Sequence, residues 1–468
     1  MGDVLGVSEL SSGFRARFER DLLGDELTRT VGKVRSRWTR DTSGRPLTHV
    51  IENETETLRA VGYQWTPNDR LKSLIDSTRG PTHYRHDARG YLAAAHYPNG
   101  QTDLRLPDAV GNLYRTETCT DRKYGPAGEL LWMRDERGET HCTYDPEGNL
   151  ITKREPTGAT WKYEWNAAGM LRAVTRPDGS QVSFKYDPLA RRVAKTYRGQ
   201  TTRWVWDANV PLHEWVEGDL QTLADAGGVP WANADEPTLE LEAGLDAQLQ
   251  SERGTKRAPI TWLFDPESFA PLSRIDRSQV HAVHCDHLGT PVLDIDRQGD
   301  RSWSTETDVS GAARALSGAR YANPFRWPGQ YEDAETGFFY NRCRYYDPSA
   351  GQYSNQDPIG LEGGIALFAY VPDPLAWVDP IGLSRRPWVL TVEGTSAKRV
   401  SGGRTYYKHR GTDHWWSPDT ARHGGVAFKV YLEKGKDLIW YRDADEYGNF
   451  IPPENKHKGP KGRKICGS

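Results

Sequence analysis

The sequence predicts a mostly β protein: a long antiparallel sheet built from repeated short hairpins, followed by a small basic domain. Three observations carry this expectation. The 468 residues include 17 Trp, 22 Tyr and 46 Gly, and only 36% are hydrophobic. That composition suits many short strands and turns, and it is too aromatic for a disordered chain. A five-residue frame recurs at a fixed spacing. Finally, residues 1–383 carry 44 Lys+Arg against 55 Asp+Glu, whereas 384–468 carry 17 against 9. An acidic body (−11) is therefore joined to a basic tail (+8), and a near-neutral whole-chain average hides the switch.

The frame is seen in His86-Asp87-Ala88-Arg89-Gly90, Tyr144-Asp145-Pro146-Glu147-Gly148, Trp165-Asn166-Ala167-Ala168-Gly169 and Tyr186-Asp187-Pro188-Leu189-Ala190, with Pro107-Asp108-Ala109-Val110-Gly111 a looser member. Gly90 to Gly111, Gly148 to Gly169 and Gly169 to Ala190 are each 21 residues apart. Asp bonds its own backbone in a tight turn, and Gly accepts the positive φ that closes it. The flanking stretches, such as Trp161-Lys162-Tyr163-Glu164-Trp165, alternate large and polar residues as half-buried strands do. Each unit is a strand-turn-strand piece that buries its aromatic face only by stacking on its neighbours.

Residues 1–216 form the repeat region on this reading. Residues 217–256 are acidic, lack alternation and interrupt the beat as an insertion or surface loop; 257–383 form a core-terminal block. The five cysteines show no CxxC pair, so neither a disulfide framework nor a zinc site is signalled, and no cofactor is called for. No apolar run reaches the roughly 18 residues of a membrane span. The first residues lack the basic and apolar regions of a secretory signal.

The beat resembles the Tyr-Asp (YD) repeats of Rhs (rearrangement hotspot) proteins and of the C subunits of insecticidal toxin complexes. The resemblance extends through His284-Cys285-Asp286-His287-Leu288-Gly289, Asn323-Pro324-Phe325-Arg326-Trp327, Gly337-Phe338-Phe339-Tyr340-Asn341-Arg342-Cys343-Arg344-Tyr345-Tyr346-Asp347 and Gln356-Asp357-Pro358-Ile359-Gly360-Leu361, in the family's order. It covers roughly 30–383. It implies a β-cocoon, an antiparallel sheet wound into a shell and closed by the core-terminal block, with a variable toxin beyond it. The chain looks short for a complete shell and begins inside the repeats. Secretion by a dedicated system, usually type VI, is implied, with spike and chaperone proteins contacted through N-terminal modules absent here. A cognate immunity protein and action in the target-cell cytoplasm follow from the same likeness.

The pentapeptide Asp357-Pro358-Ile359-Gly360-Leu361 returns as Asp379-Pro380-Ile381-Gly382-Leu383, directly before the charge switch. Asp-Pro-x-Gly is a good turn in its own right. Two carboxylates sharing a proton are also what hydrolysis of a peptide bond without a metal or a protein nucleophile takes, one activating water and one protonating the carbonyl oxygen. The resemblance implies self-cleavage with Asp357 and Asp379 as the pair and Leu383–Ser384 as the bond cut. Family members carry Arg within a Gly-Arg-Tyr sequence, where this chain has Gly351-Gln352-Tyr353; an arginine helper would come from Arg342 or Arg344.

The tail reads as a small curled antiparallel sheet with at most one short helix, a β-rich or α+β domain. Its charge suits a polyanionic partner, and Tyr406, Trp415, Trp416 and Tyr441 are candidates to stack on bases. A solvated charged face, or complementarity to the acidic shell and an acidic immunity protein, would account for the charge without chemistry. Metal-free RNA cleavage needs a base, an acid and a cation on the phosphorane. His423 with Asp419 suits base and orienter, Lys429 the cation, and Asp443, Asp445 and His457 are candidates to complete the site. A distant resemblance to ribosome-cutting colicin nucleases favours RNase, although the glutamate expected after His423-Gly424 is missing. HxE and PCxxC are absent, which argues against a nucleobase deaminase. A metal-dependent DNase and a non-enzymatic repeat protein that only binds partners are the alternatives.

Overall fold

Each repeat is a hairpin closed by its own aspartate or, at Asn166, asparagine. At 144–150 the Asp145 N–H donates to Asn149 O (2.9 Å), the Gly148 N–H to Asp145 O (3.0 Å), and the Asn149 N–H to Asp145 Oδ1 (2.7 Å). Gly148 lies at φ +80°, and the ladder slips between Thr143 and Tyr144. This is a type I turn with a glycine bulge, the commonest three-residue hairpin loop. Ala190 fills the glycine position at φ +60°, at a cost of roughly 1–2 kcal/mol. The aromatic before the aspartate explains the beat. Trp165 Nε1 donates to Leu150 O (2.7 Å), Tyr186 Oη to Leu171 O (2.7 Å) and Trp206 Nε1 to Arg192 O (2.8 Å), so each unit is bonded back to its predecessor.

The structure, a computed structural model, describes residues 6–9, 14–21, 26–42, 44–218, 259–265, 268–276, 279–363, 366–383, 395–401, 404–409, 414–418, 428–435, 437–444 and 464–465. Its regular elements are almost all strands. A ten-stranded sheet runs from Gly6–Glu9 to Thr102–Leu104 and a sixteen-stranded sheet from Arg122–Tyr124 to Ala313–Ser317, each strand hydrogen-bonded to its neighbours in sequence. The sheets meet directly. Val34, Ile51 and Leu58 pack with Val292, Leu293 and Ile295, and Ala16 and Phe18 with Leu272, Ile275 and Val280. Arg29 Nη1 donates to Val283 O (3.1 Å) and Arg79 Nη1 to Thr305 O (2.8 Å) across the same seam.

Strands Val210–Glu217 and Ile260–Phe264 are adjacent, with His213 opposite Thr261. The acidic stretch thus falls in sequence between two paired strands; residues 219–258 lie outside the described residues. The repeat hairpin also continues further than the sequence beat suggested. Asp286, Asp296 and Asp308 each close the same turn, their Oδ1 atoms accepting the N–H groups of Thr290, Asp300 and Ala312. The stretch His284–Gly289 is therefore a repeat turn within the sheet.

From Arg320 the chain enters a buried four-stranded sheet, Tyr331–Glu332, Phe339–Asn341, Arg344–Asp347 and Gln352–Tyr353. Ion pairs lock it to the sixteen-stranded sheet, and the segment after it is held by Arg105, just past the last strand of the ten-stranded sheet. Arg192 Nη2 bonds Asp333 Oδ1 (2.9 Å), Lys153 Nζ bonds Asp347 Oδ2 (2.7 Å), and Arg105 donates to Val371 O and Pro372 O (both 2.7 Å). Among the described residues no helix is long and apolar enough to cross a membrane.

The tail forms a six-stranded antiparallel sheet in chain order: Thr395–Ser401, Arg404–His409, His414–Pro418, Phe428–Lys434, Asp437–Ala444 and Lys464–Ile465. Here one expectation is corrected. Tyr406, Trp415 and Trp416 are each only 2% exposed and form the small domain's core, so they offer no stacking surface. Tyr441 is exposed and stacks on the His414 ring at 5.4 Å.

Candidate functional site

Asp357 and Asp379 sit in the buried block, and the fold brings them to one guanidinium. Arg344 lies on the third strand of the small sheet, where the alternating pleat turns it inward. Its Nη2 is 3.1 Å from Asp357 Oδ2 and 3.0 Å from Asp379 Oδ2. The same group donates from Nε to Gly382 O (2.6 Å) and from Nη1 to Leu367 O (3.3 Å). Exposure is 1% at Arg344, 7% at Asp357 and 2% at Asp379. In so dry a setting a planar cation with several donors satisfies two carboxylates and two carbonyls at once, which a lysine cannot do.

Local geometry fixes each carboxylate. Asp357 begins a turn: Ile359 N–H donates to its Oδ1 (3.1 Å) and Gly360 N–H to its carbonyl (2.8 Å). The segment leading to it docks on a repeat hairpin, with Leu150 N–H donating to Ser354 O (2.9 Å). A Cβ on Gly148 would meet Gln356 Nε2 at 2.4 Å, so the repeat glycine also makes room for the approach to Asp357. Asp379 is held by Tyr353 Oη on Oδ2 (2.9 Å), by Asn341 Nδ2 on its backbone carbonyl (2.7 Å) and by Tyr370 Oη, which accepts its N–H (3.3 Å).

The second pentapeptide curls back over its own aspartate. Leu383 N–H donates to Asp379 Oδ1 (3.2 Å), while Arg344 holds the Gly382 carbonyl. The Gly382–Leu383 peptide is thereby gripped on both sides, one bond before the Leu383–Ser384 junction. Gly382 is required there: φ is +68°, and a Cβ would lie 2.5 Å from Asn341 O. Cys343 lies beside the pair, its thiol pushed up to about 11 chiefly by burial. Chemically, the arrangement offers two buried carboxylates, a bridging cation and an immobilised peptide segment.

Sequence reasoning named both Arg342 and Arg344, and the structure separates them. Arg342 turns outward, donating from Nε and Nη2 to Leu189 O and from Nη1 to Asn209 Oδ1. Tyr353 and Asn341 were missed as site residues, although both lie in the quoted motifs; only their place opposite Asp379 marks them. In the tail, Lys429 is half-buried on strand Phe428–Lys434, opposite Ser417 and Asp443. His423, Asp419, Asp445 and His457 lie outside the described residues, as does Ser384. No cluster of three or more His, Cys, Asp or Glu suited to a metal occurs among the described residues.

Comparison with known proteins agrees with this architecture. The RHS Repeat family model matches residues 144–181 and 165–202. Double-stranded DNA deaminase toxin A of Burkholderia cenocepacia (strain H111) is 33% identical over 396 residues, covering 79% of this chain and 26% of that protein. Probable deoxyribonuclease RhsA of Dickeya dadantii (strain 3937) is 28% identical over 358 residues, 69% of this chain and 22% of its own length. The chain thus spans about a quarter of the length of these curated relatives. Among solved structures, the Photorhabdus luminescens Tc holotoxin pore matches with a TM-score of 0.51 at 16% identity, over 82% of this chain and 21% of the other, a likeness of fold. The repeat hairpins, the family match and the relatives together make the chain a member of the Rhs YD-repeat family.

Proposed function

We propose that this chain is the C-terminal part of an Rhs-type antibacterial effector that cuts itself between Leu383 and Ser384, freeing a basic nuclease tail, a metal-independent RNase. The observation that carries the cleavage is the single Arg344 guanidinium holding Asp357, Asp379 and the Gly382 carbonyl in a dry site. In the reaction, one carboxylate takes a proton from water as the water oxygen bonds to the Leu383 carbonyl carbon. The other gives its proton to the carbonyl oxygen. Collapse of the tetrahedral adduct breaks the carbon–nitrogen bond. Ser384 leaves as an amine that takes up a proton, and Leu383 becomes a carboxylate.

The nuclease reading rests on the tail's charge of +8 and on relatives whose names include a deoxyribonuclease. In it, His423 is the base, Asp419 its orienter and Lys429 the phosphate-facing cation, with Asp445 and His457 completing the site. An immunity protein shields the producing cell, and delivery to the target cytoplasm uses a dedicated secretion system. A metal-dependent DNase is the second reading, favoured by the name of the Dickeya relative. The test is to incubate purified 384–468 with RNA and with DNA, with and without EDTA. RNA loss that EDTA does not slow supports the RNase, and EDTA-sensitive DNA loss replaces it with the second reading. Inactivity on both, with no growth arrest on cytoplasmic expression, leaves a tail that only binds partners.

A further inference from the structure

The two aspartates are not equivalent in their surroundings. Both touch Arg344, but Asp379 Oδ2 also accepts the Tyr353 hydroxyl proton at 2.9 Å, and that hydroxyl in turn accepts from Asn341 Nδ2 at 2.6 Å. Tyr353 and Asn341 are both 0% exposed. The Tyr353 ring also lies flat beneath Arg344, with the guanidinium carbon 3.6 Å from the ring centroid. One side chain therefore supports the cation with its face and the carboxylate with its tip. Asn341 fixes the direction of the donated bond: its amide donates to both the tyrosine oxygen and the Asp379 carbonyl, so the phenol hydrogen points to the carboxylate.

Resting on the self-cleavage reading, we propose that Tyr353, aimed by Asn341, is a positioning residue that makes Asp379 the proton acceptor of the pair and leaves Asp357 as the proton donor. A hydrogen bond given to a carboxylate favours its charged form. Tyr353 can only serve as that donor: burial, then the Asp379 charge, holds its own ionisation well above the ordinary value of 10. Among the described residues, the other charged or titratable groups facing Asp379 include Arg344, Asp357, Tyr370 and Cys343. Tyr370 and Cys343 are likewise pushed up by burial, so neither supplies a charge to the pair within the working range.

The experiment follows self-cleavage of the full chain made by cell-free translation in buffers from pH 5 to 8.5, with the fragment timed on denaturing gels. Tyr353→Phe keeps the ring under Arg344 and deletes only the hydroxyl. The acid limb of its rate profile should move up by about one pH unit, the plateau at higher pH staying near that of the parent. Asn341→Ala, which leaves the tyrosine unaimed, should move the same limb in the same direction by less. A Tyr353→Phe profile superimposed on the parent's overturns the proposal, as does a loss equal at every pH. Should Asp357→Asn and Asp379→Asn still yield the fragment, the self-cleavage reading itself fails, an outcome distinct from either.

Discussion

Gly169 and Gly382 have almost the same backbone, φ +70° and +68°, and opposite surroundings. A Cβ on Gly169 meets nothing within 4 Å, whereas one on Gly382 meets Asn341 O at 2.5 Å and Arg344 N at 3.2 Å. The first needs its positive φ only to close a repeat hairpin, although its carbonyl also accepts from Asn355 Nδ2 at 3.5 Å. The second lets the chain fold back onto the carboxylate pair. The body's turns are thus satisfied by their own residues, and the core-terminal block is a structure in which single side chains such as Arg344 and Tyr353 answer to several distant ones.

Predictions that stress this contrast run from large effects to small. Arg344→Met should abolish self-cleavage and destabilise the block by about 3–5 kcal/mol, because it strands two buried carboxylates; Arg344→Lys should not restore cleavage. Gel analysis and thermal melting check both. Asp333→Asn, which breaks the pair with Arg192 and Lys195, should cost about 3–5 kcal/mol in melting and slow cleavage only through loosening of the block.

Asp294 gives a pH-dependent case. Burial pushes its carboxyl up to about 7, partly opposed by Arg274 and by the Asn323 bond. The folded state holds that proton more tightly than the unfolded one. The associated stability is complete below about pH 4 and is lost as pH rises through about 7. Asp294→Asn should therefore melt higher than the parent at pH 8, by an amount on the order of a few kcal/mol, with the advantage gone near pH 4. The smallest effect is expected at the hairpin: Gly169→Ala should cost only about 1–2 kcal/mol and leave cleavage unchanged.

What the sequence made legible follows the same division. The hairpins were readable because Asp145, Asn166 and Asp187 act on atoms within four residues of themselves, so spacing alone exposes them. The hairpins at Asp286, Asp296 and Asp308 escaped notice because Cys285, Ile295 and Thr307 stand where the repeat aromatic is expected. The paired pentapeptides disclosed Asp357 and Asp379. That Arg344 and not Arg342 joins them was not legible, since Arg342 sits in a turn at φ +55° and Arg344 on the strand that follows, and only the fold says which of them faces the aspartates. Tyr353 was hidden for a related reason: aromatic residues are common here, and its hydroxyl matters only through a partner 26 residues away. In the tail, aromatic residues at strand spacing served equally as core and as stacking surface, and burial decided for the core.

The central claim is that the pair at Arg344 cuts the chain at the charge switch. The most direct measurement is intact mass and N-terminal sequencing of the chain after expression, beside Asp357→Asn and Asp379→Asn. The account predicts a fragment beginning at Ser384 from the parent and a single uncut chain from each variant. A parent chain that stays whole, or variants that release the same fragment, would contradict it.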